Sequence, residues 1–135
     1  MDDIVNMGDV TVTGSQLTIE AWVYPRSFHA SDWSGWAHIM EKQESYGFYF
    51  PDDNIVRFVT NHDGTWDDFD GQVRLNTNEW VHIACVLTGT YKEIYVNGQL
   101  DSRKSYAYDV RVSPHDLIIG ADSPGGDQGL SLIHI

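Results

Sequence analysis

The chain has 135 residues, which suits one domain, and 41% of them are hydrophobic, enough for a packed core. Its net charge of −12 argues against binding to nucleic acids or anionic membranes, both of which need basic surfaces. Its apolar runs are too short for membrane insertion, it shows no signal peptide, and its one cysteine, Cys85, permits no intramolecular disulfide.

The first half of the chain is predicted to form short strands separated by loops. After a polar segment, Leu17–Tyr24 has the apolar and polar alternation of a strand, and Pro25 ends it. A loop is predicted over residues 26–36. Further short strands are predicted at 37–42, 46–50 and 55–60. The acidic segment 61–71 is predicted to be a solvated loop with Asp-Gly turns, and a cation or ligand loop built on Asp63, Asp67, Asp68 and Asp70 is the alternative.

The most informative stretch is 78–100, which predicts three antiparallel strands in series. Residues 80–88 are apolar on both parities, as in a central strand, and residues 91–96 alternate. The pair Asn97-Gly98 then separates two strand-like segments. This is the strongest short hairpin signal, because a type I′ turn needs a positive φ at both central residues.

A polar, edge-like strand at 99–106 and a short apolar strand at 116–120 complete the predicted elements. About ten short strands without helical periodicity predict an all-β sandwich or barrel. Alternation assigns to its core the residues Ile19, Ala21, Val23, Ile83, Cys85, Ile94, Val96 and Ile118. Trp22 and Trp80 are also expected there, because buried aromatic rings dominate core energetics.

Several sequence blocks carry a resemblance to a known family. They are TIEAWVYPR at 18–26, NEWVHIACVLTG at 78–89, IYVNGQL at 94–100 and LIIGAD at 117–122. In order and spacing, these blocks resemble the laminin-G-like, concanavalin A-like jelly-roll family. The resemblance implies a two-sheet antiparallel jelly-roll sandwich with a carbohydrate- or protein-binding surface. It also implies a structural calcium ion, which several members hold near the sheet edge.

Both ends depart from the family pattern. Members carry a strand before the segment equivalent to residues 2–5, and they finish with a further strand where this chain has LSLIHI. The laminin-G-like domain is therefore predicted to span 1–129 and to lack its terminal strands. Residues 130–135 are interpreted as a non-native tail, translated from a sequencing adapter at the end of an environmental gene fragment.

Three tryptophans in predicted loops are candidates for ligand binding. These are Trp33, Trp36 and Trp66, with Asp67 beside the last. Sugar recognition needs flat apolar rings together with polar groups that bond hydroxyls. A tryptophan in a loop is less often needed for packing than one in a strand, so it is more often involved in binding. Packing over the sandwich edge is the alternative for the tryptophans, and a solvated turn is the alternative for Asp67.

A calcium site is predicted near the chain ends. Asp122 and Asp127 flank a glycine turn whose carbonyls could approach an ion, and Asp2 and Asp3 match a family segment that often lies near the metal. Calcium takes six to eight oxygen ligands, so four carboxylates with added carbonyls suit it. The alternative for each of these aspartates is an ordinary solvated turn.

No catalytic pattern is present in the sequence. It has no Glu-x-Asp-x-x-Glu strand, no Gly-x-Ser-x-Gly elbow and no phosphate-binding loop. Together with the family resemblance, this implies a non-catalytic recognition or adhesion module of a larger extracellular or cell-surface protein, binding a glycan or an extracellular protein. The alternative is an accessory carbohydrate-binding domain attached to a glycoside hydrolase or sialidase; a shortened glucanase is a third interpretation. The sequence does not specify the oligomeric state.

Overall fold

The computed structural model describes residues 4–29, 35–51 and 53–120, and the backbone of 133–134. Within these ranges it contains β-strands and no helix. In chain order the strands are β1 Val5–Asn6, β2 Gln16–Pro25, β3 Trp36–Lys42, β4 Tyr46–Pro51, β5 Arg57–His62, β6 Thr65–Asp70, β7 Val81–Thr88, β8 Tyr91–Val96, β9 Gln99–Ser105, β10 Leu117–Ile119 and β11 Ile133–His134.

Two sheets pack as a sandwich. The six-stranded sheet has the order β1-β10-β3-β4-β5-β6, and the five-stranded sheet has the order β11-β2-β7-β8-β9. All neighbouring strands are antiparallel. The apolar strand β7 lies in the middle of its sheet and the polar strand β9 lies at its edge. The prediction of an all-β, two-sheet antiparallel sandwich is confirmed.

The core lies between the sheets and is built from alternate residues of each strand. The predicted residues that are buried in it are Ile19, Val23, Ile83, Cys85, Ile94 and Val96. Ala21 is partly buried and packs against this cluster. Ile118 is buried as well, but its cross-strand partner is Glu41, so it lies on the outer face of the six-stranded sheet. Its neighbour Leu117 is the core residue of β10.

Two hairpins turn on residue pairs with positive φ. Asn97 and Gly98 have φ values of 49° and 77°, and they join β8 to β9 as predicted. Asp63 and Gly64 have φ values of 50° and 83° and join β5 to β6 in the same way. Both pairs meet the requirement of a type I′ turn.

The prediction of a loop over residues 61–71 is wrong. Residues 65–70 form β6, which pairs with β5 from Arg57 opposite Asp70 to His62 opposite Thr65. Aspartate is disfavoured in strands, and this explains the error. Here the strand lies at the edge of its sheet, where the acidic side chains reach solvent or a basic partner. The second hairpin pair, Asp63-Gly64, was the signal for this strand.

The prediction that Trp22 and Trp80 lie in the core is also wrong. Trp22 is 57% exposed and Trp80 is 53% exposed. Trp22 sits between Ala21 and Val23, which face inward, so the pleat turns its ring outward. The same alternation that identified the core of β2 therefore excluded Trp22 from it.

Lys92 lies inside the sandwich and links its two sheets. Lys92 on β8 is 0% exposed, and its Nζ donates to Thr60 Oγ1 at 2.9 Å and to Asp67 Oδ1 at 2.9 Å. Lys104 on β9 donates to the other carboxylate oxygen of Asp67 at 2.6 Å. Burial lowers the pKa of Lys92 to about 8. Burial alone would raise the pKa of Asp67, but the hydrogen bonds from Lys104 and Lys92 lower it overall.

Candidate functional site

A row of side chains crosses four strands on the outer face of the six-stranded sheet. His38 pairs with Tyr49, Tyr49 with Arg57, and Arg57 with Asp70. Directly opposed residues of an antiparallel sheet point to the same face, so these side chains share one surface. Three inter-strand spacings make the row roughly 14 Å long. With its two neighbours it forms the outer strip, defined as Trp36, His38, Tyr49, Arg57, Asp68 and Asp70.

The aromatic end of the outer strip is a stacked pair of rings. The Trp36 ring is 5.2 Å from the Tyr49 ring and inclined to it by 14°. Trp36 is 39% exposed, whereas Tyr49 is only 4% exposed. The His38 ring also contacts Tyr49, at 4.7 Å. A partly exposed indole is thus held on a buried aromatic support, which limits its freedom before any ligand arrives.

An irregularity in β3 shapes this end of the strip. The register with β4 shifts between His38 and Met40, so β3 carries one extra residue there. Residues three apart normally face opposite sides of a strand, but the shift brings His38 and Glu41 to the same face. Nδ1 of His38 lies 2.9 Å from Oε2 of Glu41, close enough for an ion pair but not aligned as a hydrogen bond.

The polar end of the outer strip is built around Arg57. Its Nε and Nη2 donate to the two oxygens of Asp70 at 2.6 and 2.8 Å, a bidentate pair. Its Nη1 lies 3.6 Å from Oδ2 of Asp68. The hydrogen bond to Asp70 raises the pKa of Arg57, so the guanidinium stays charged. The Asp68 and Asp70 side chains remain 49% and 41% exposed, which leaves their oxygens accessible to a ligand.

The Tyr49 hydroxyl connects the two ends of the strip. It lies beside the Arg57 guanidinium, and burial, followed by the charge of Asp68, raises the pKa of Tyr49 to about 12. The phenol is therefore protonated at neutral pH. In this row, the partly exposed Trp36 ring can stack on an apolar face of a ligand. The Arg57 guanidinium and the two carboxylates can bond the hydroxyls of the same ligand.

The residues predicted from the sequence to bind a ligand do not all lie at one place in the structure. Trp36 belongs to the outer strip. Trp66 is 44% exposed and alternates with Asp68 and Asp70, so it lies on the same face, but about 13 Å along β6 from Asp70. Asp67 faces the other way and is held between the sheets by Lys92 and Lys104. Trp33 lies outside the described residues.

Three members of the outer strip, His38, Tyr49 and Arg57, are not candidates in the sequence, and Asp68 and Asp70 are candidates there only as part of a cation or ligand loop. His38, Tyr49, Arg57 and Asp70 sit on four different strands, and only the pairing of those strands brings them together. Alternation within each strand shows which residues share a face, but no local pattern gives the register between strands. Of the described tryptophans predicted to bind a ligand, Trp36 is the one that belongs to the outer strip.

The predicted calcium ligands Asp2, Asp3, Asp122 and Asp127 all lie outside the described residues. Their carboxylates are the oxygen donors that calcium takes. Elsewhere, in the described part of the chain, no three His, Cys, Asp or Glu side chains gather closely enough to hold a metal ion. None of the described residues forms a helix long and apolar enough to span a membrane.

Comparison with known proteins gives one family match. The laminin G model described as the concanavalin A-like lectin/glucanases superfamily matches residues 2–131. No curated protein matches the sequence.

Solved structures share the fold at low sequence identity. A putative carbohydrate binding protein from Bacteroides ovatus has a TM-score of 0.70 and 20% identity, over 97% of this chain and 38% of that one. Domain 4 of AbnA, a GH43 extracellular arabinanase from Geobacillus stearothermophilus, in complex with arabinotriose, has a TM-score of 0.64 and 18% identity, over 95% and 62%. Domains LG4-5 of the mouse laminin alpha1 chain have a TM-score of 0.61 and 14% identity, over 93% and 35%. The chain thus spans less than two thirds of each of these proteins.

Proposed function

The chain belongs to the concanavalin A-like lectin/glucanase superfamily, and we propose that it is a non-catalytic recognition module of a larger extracellular protein that binds carbohydrate through the outer strip. A sugar ring would pack against the exposed part of the Trp36 side chain, and its hydroxyls would bond the Asp68 and Asp70 carboxylates. A single fold serves many functions, so the proposal rests on the strip itself.

The stacking of Trp36 on Tyr49 carries this proposal. A tryptophan at a sheet surface normally loses the benefit of burial, yet this one is supported from below by a nearly buried ring. Binding sites of this kind combine an apolar surface with a few placed polar groups, and the ion pair of Arg57 with Asp70 supplies them in fixed positions. Trp66, on the same face, would extend the surface for longer glycans.

The nature of the partner draws support from the structural neighbours. One is described as a putative carbohydrate binding protein, and another is a domain of an arabinanase holding arabinotriose. The second neighbour favours the alternative that this module is an accessory domain attached to a glycoside hydrolase. In both cases the chain would act outside the cell and would position its parent protein on a glycan.

Binding of neutral oligosaccharides, measured by isothermal titration calorimetry, tests the proposal. Trp36→Ala is expected to weaken binding about tenfold or more, which corresponds to about 1.4 kcal/mol, because the stacking surface is lost. Trp22→Ala is the matched control, since it removes an exposed tryptophan from the opposite sheet, and it is expected to bind as the unmodified protein does. Thermal melting of both variants separates loss of the site from loss of the fold.

Two results would contradict the proposal. One is equal affinity of the Trp36→Ala variant and the unmodified protein. The other is the absence of binding to every oligosaccharide of a broad panel. Trp66→Ala has a separate expected outcome. Because Trp66 lies about 13 Å from Asp70, the variant should bind disaccharides with unchanged affinity and longer glycans with reduced affinity.

A further inference from the structure

The charges of the outer strip limit the kind of glycan that it can accept. Arg57 is the strip's one guanidinium, and three of its nitrogens face the carboxylates of Asp70 and Asp68. The strip therefore has two acidic side chains for one permanently charged basic side chain. His38, its other basic residue, lies 5% exposed against the carboxylate of Glu41. Each basic group of the strip is thus already next to an acid.

An anionic sugar would need an unpaired basic side chain, which the described residues of the outer strip do not provide. Carboxylates, sulfates and phosphates are recognised by charge-assisted hydrogen bonds, above all by the free fork of an arginine. In the outer strip that fork is occupied by Asp70, at 2.6 and 2.8 Å. Separating the pair to admit a ligand carboxylate would leave Asp70 without its partner. The chain as a whole carries a net charge of −12, which adds long-range repulsion.

A neutral sugar makes better use of the same groups. Hydroxyls donate to carboxylates, and the Asp68 and Asp70 side chains are 49% and 41% exposed. Such bonds to an ionised acceptor are stronger than bonds between neutral groups. Arg57 then acts as a positioning residue, because its bidentate grip fixes the orientation of the Asp70 carboxylate.

We propose, on the basis of the function proposed above, that the outer strip selects uncharged glycans and rejects those bearing uronic acid, sialic acid or sulfate. Asp68 is the residue that enforces the choice, because it carries the more exposed of the two carboxylates and lies 3.6 Å from Arg57 rather than in its bidentate grip.

The test compares matched ligands whose main difference is charge. Calorimetry would measure affinities for lactose against lactose 3′-sulfate and for the trimethyl ester of trigalacturonic acid against trigalacturonic acid. The unmodified protein is expected to prefer the neutral member of each bound pair by about tenfold or more at about 0.02 M salt, where repulsion is least screened. Affinity for the neutral member is expected to stay the same at about 0.5 M salt.

A substitution of Asp68 tests its proposed role in rejecting anionic sugars. Asp68→Asn keeps the size and the acceptor oxygen of the side chain but removes its charge. It should therefore narrow the preference for neutral over anionic sugars about threefold to tenfold, by improving binding of the anionic sugar and weakening the hydroxyl bonds of the neutral one. Asp109→Asn is the control. Asp109 is an exposed acid in the loop after β9, and its substitution removes the same unit of negative charge from the protein. It should leave the preference unchanged.

The outcomes separate the two proposals. Tighter binding of the anionic members that still depends on Trp36 would overturn the selectivity and leave the carbohydrate-binding function standing. Equal narrowing by the Asp68 and Asp109 variants would assign the selectivity to overall charge and overturn the role of Asp68. Binding that ignores Trp36→Ala would overturn the function and the selectivity together.

Discussion

Lys92 and Asp67 join the two sheets near one side of the sandwich, with Nζ of Lys92 2.9 Å from Oδ1 of Asp67. Lys92 belongs to the five-stranded sheet and Asp67 to the six-stranded sheet. The lysine is 0% exposed, and the Phe58 and Tyr106 rings lie 4.7 and 5.3 Å from its ammonium. A charge in such surroundings is costly unless its partners compensate, so stability at this position depends on protonation.

The first prediction concerns pH. Burial lowers the pKa of Lys92 to about 8, whereas an unfolded lysine has a pKa of about 10.4. Between these values the unfolded chain holds more protons than the folded chain, so the contribution of Lys92 to stability rises with pH. The free energy of unfolding, taken relative to a Lys92→Met variant, is expected to increase by roughly 3 kcal/mol from pH 7 to pH 10.5. Urea denaturation of both proteins across this range measures it.

Lys104→Met provides the comparison for this experiment, because Lys104 contacts the same carboxylate from a position that is 33% exposed. Only the Lys92→Met variant is expected to abolish the increase in the free energy of unfolding between pH 7 and pH 10.5. A difference curve that stays flat from pH 7 to pH 10.5 would mean that the ammonium keeps its proton when folded.

The second prediction concerns the hairpin at Asn97-Gly98. A Cβ added to Gly98 would meet no atom within 4 Å, so space is not limiting, but the φ of 77° disfavours any branched side chain. Gly98→Val is expected to lower the free energy of unfolding by about 1–3 kcal/mol. Gly98→Asn should cost less, because asparagine adopts this conformation more readily. Equal melting of the glycine, asparagine and valine proteins would contradict the turn assignment.

The third prediction concerns the core. Ile83 is 0% exposed in the central strand β7. Ile83→Ala removes apolar contacts and leaves a cavity, so it is expected to cost ~2–5 kcal/mol in chemical denaturation. Val73, which is 44% exposed, offers the reference: Val73→Ala should change stability by less than about 0.5 kcal/mol. A cost below about 1 kcal/mol at Ile83 would place it at the surface.

The fourth prediction concerns calcium. If Asp2, Asp3, Asp122 and Asp127 form a site, calcium will raise the melting temperature of the domain, as any ligand selective for the folded state does. Asp122→Ala should abolish the increase, whereas Asp109→Ala should preserve it. A melting curve that responds to neither calcium nor a chelator would leave these aspartates as solvated turns.

Strand alternation predicted much of the fold, and its limits are visible in particular residues. It placed Ile83 and Cys85 inside and identified the Asn97-Gly98 turn. The prediction for Trp22 is wrong because it follows the general tendency of aromatic residues to be buried and not the alternation of its own strand. Trp22 was assigned to the core because it is aromatic, although its neighbours Ala21 and Val23 already occupied the inner face.

Contacts between polar residues of different strands lie beyond what alternation within one strand can predict. The alternation of β8 groups Lys92 with Ile94 and Val96 on the inner face, so a buried lysine was foreseeable from the sequence. What could not be foreseen is its partner, because Asp67 lies on a strand of the other sheet, 25 residues away. The outer strip was hidden for the same reason, since it depends on the register between strands.

The ion pair between Lys104 and Asp67 has a consequence for self-association. It joins β9 to β6, the strands that end the two sheets on this side of the molecule. An exposed sheet edge offers unpaired backbone groups to which a second chain can add a strand, the first step toward fibres. Here Lys92 also occupies the backbone carbonyl of Asp67, at 2.6 Å. Charged side chains at a sheet edge disfavour such pairing, so Lys104 and the aspartates of β6 help to protect this side of the sandwich against amyloid-like growth.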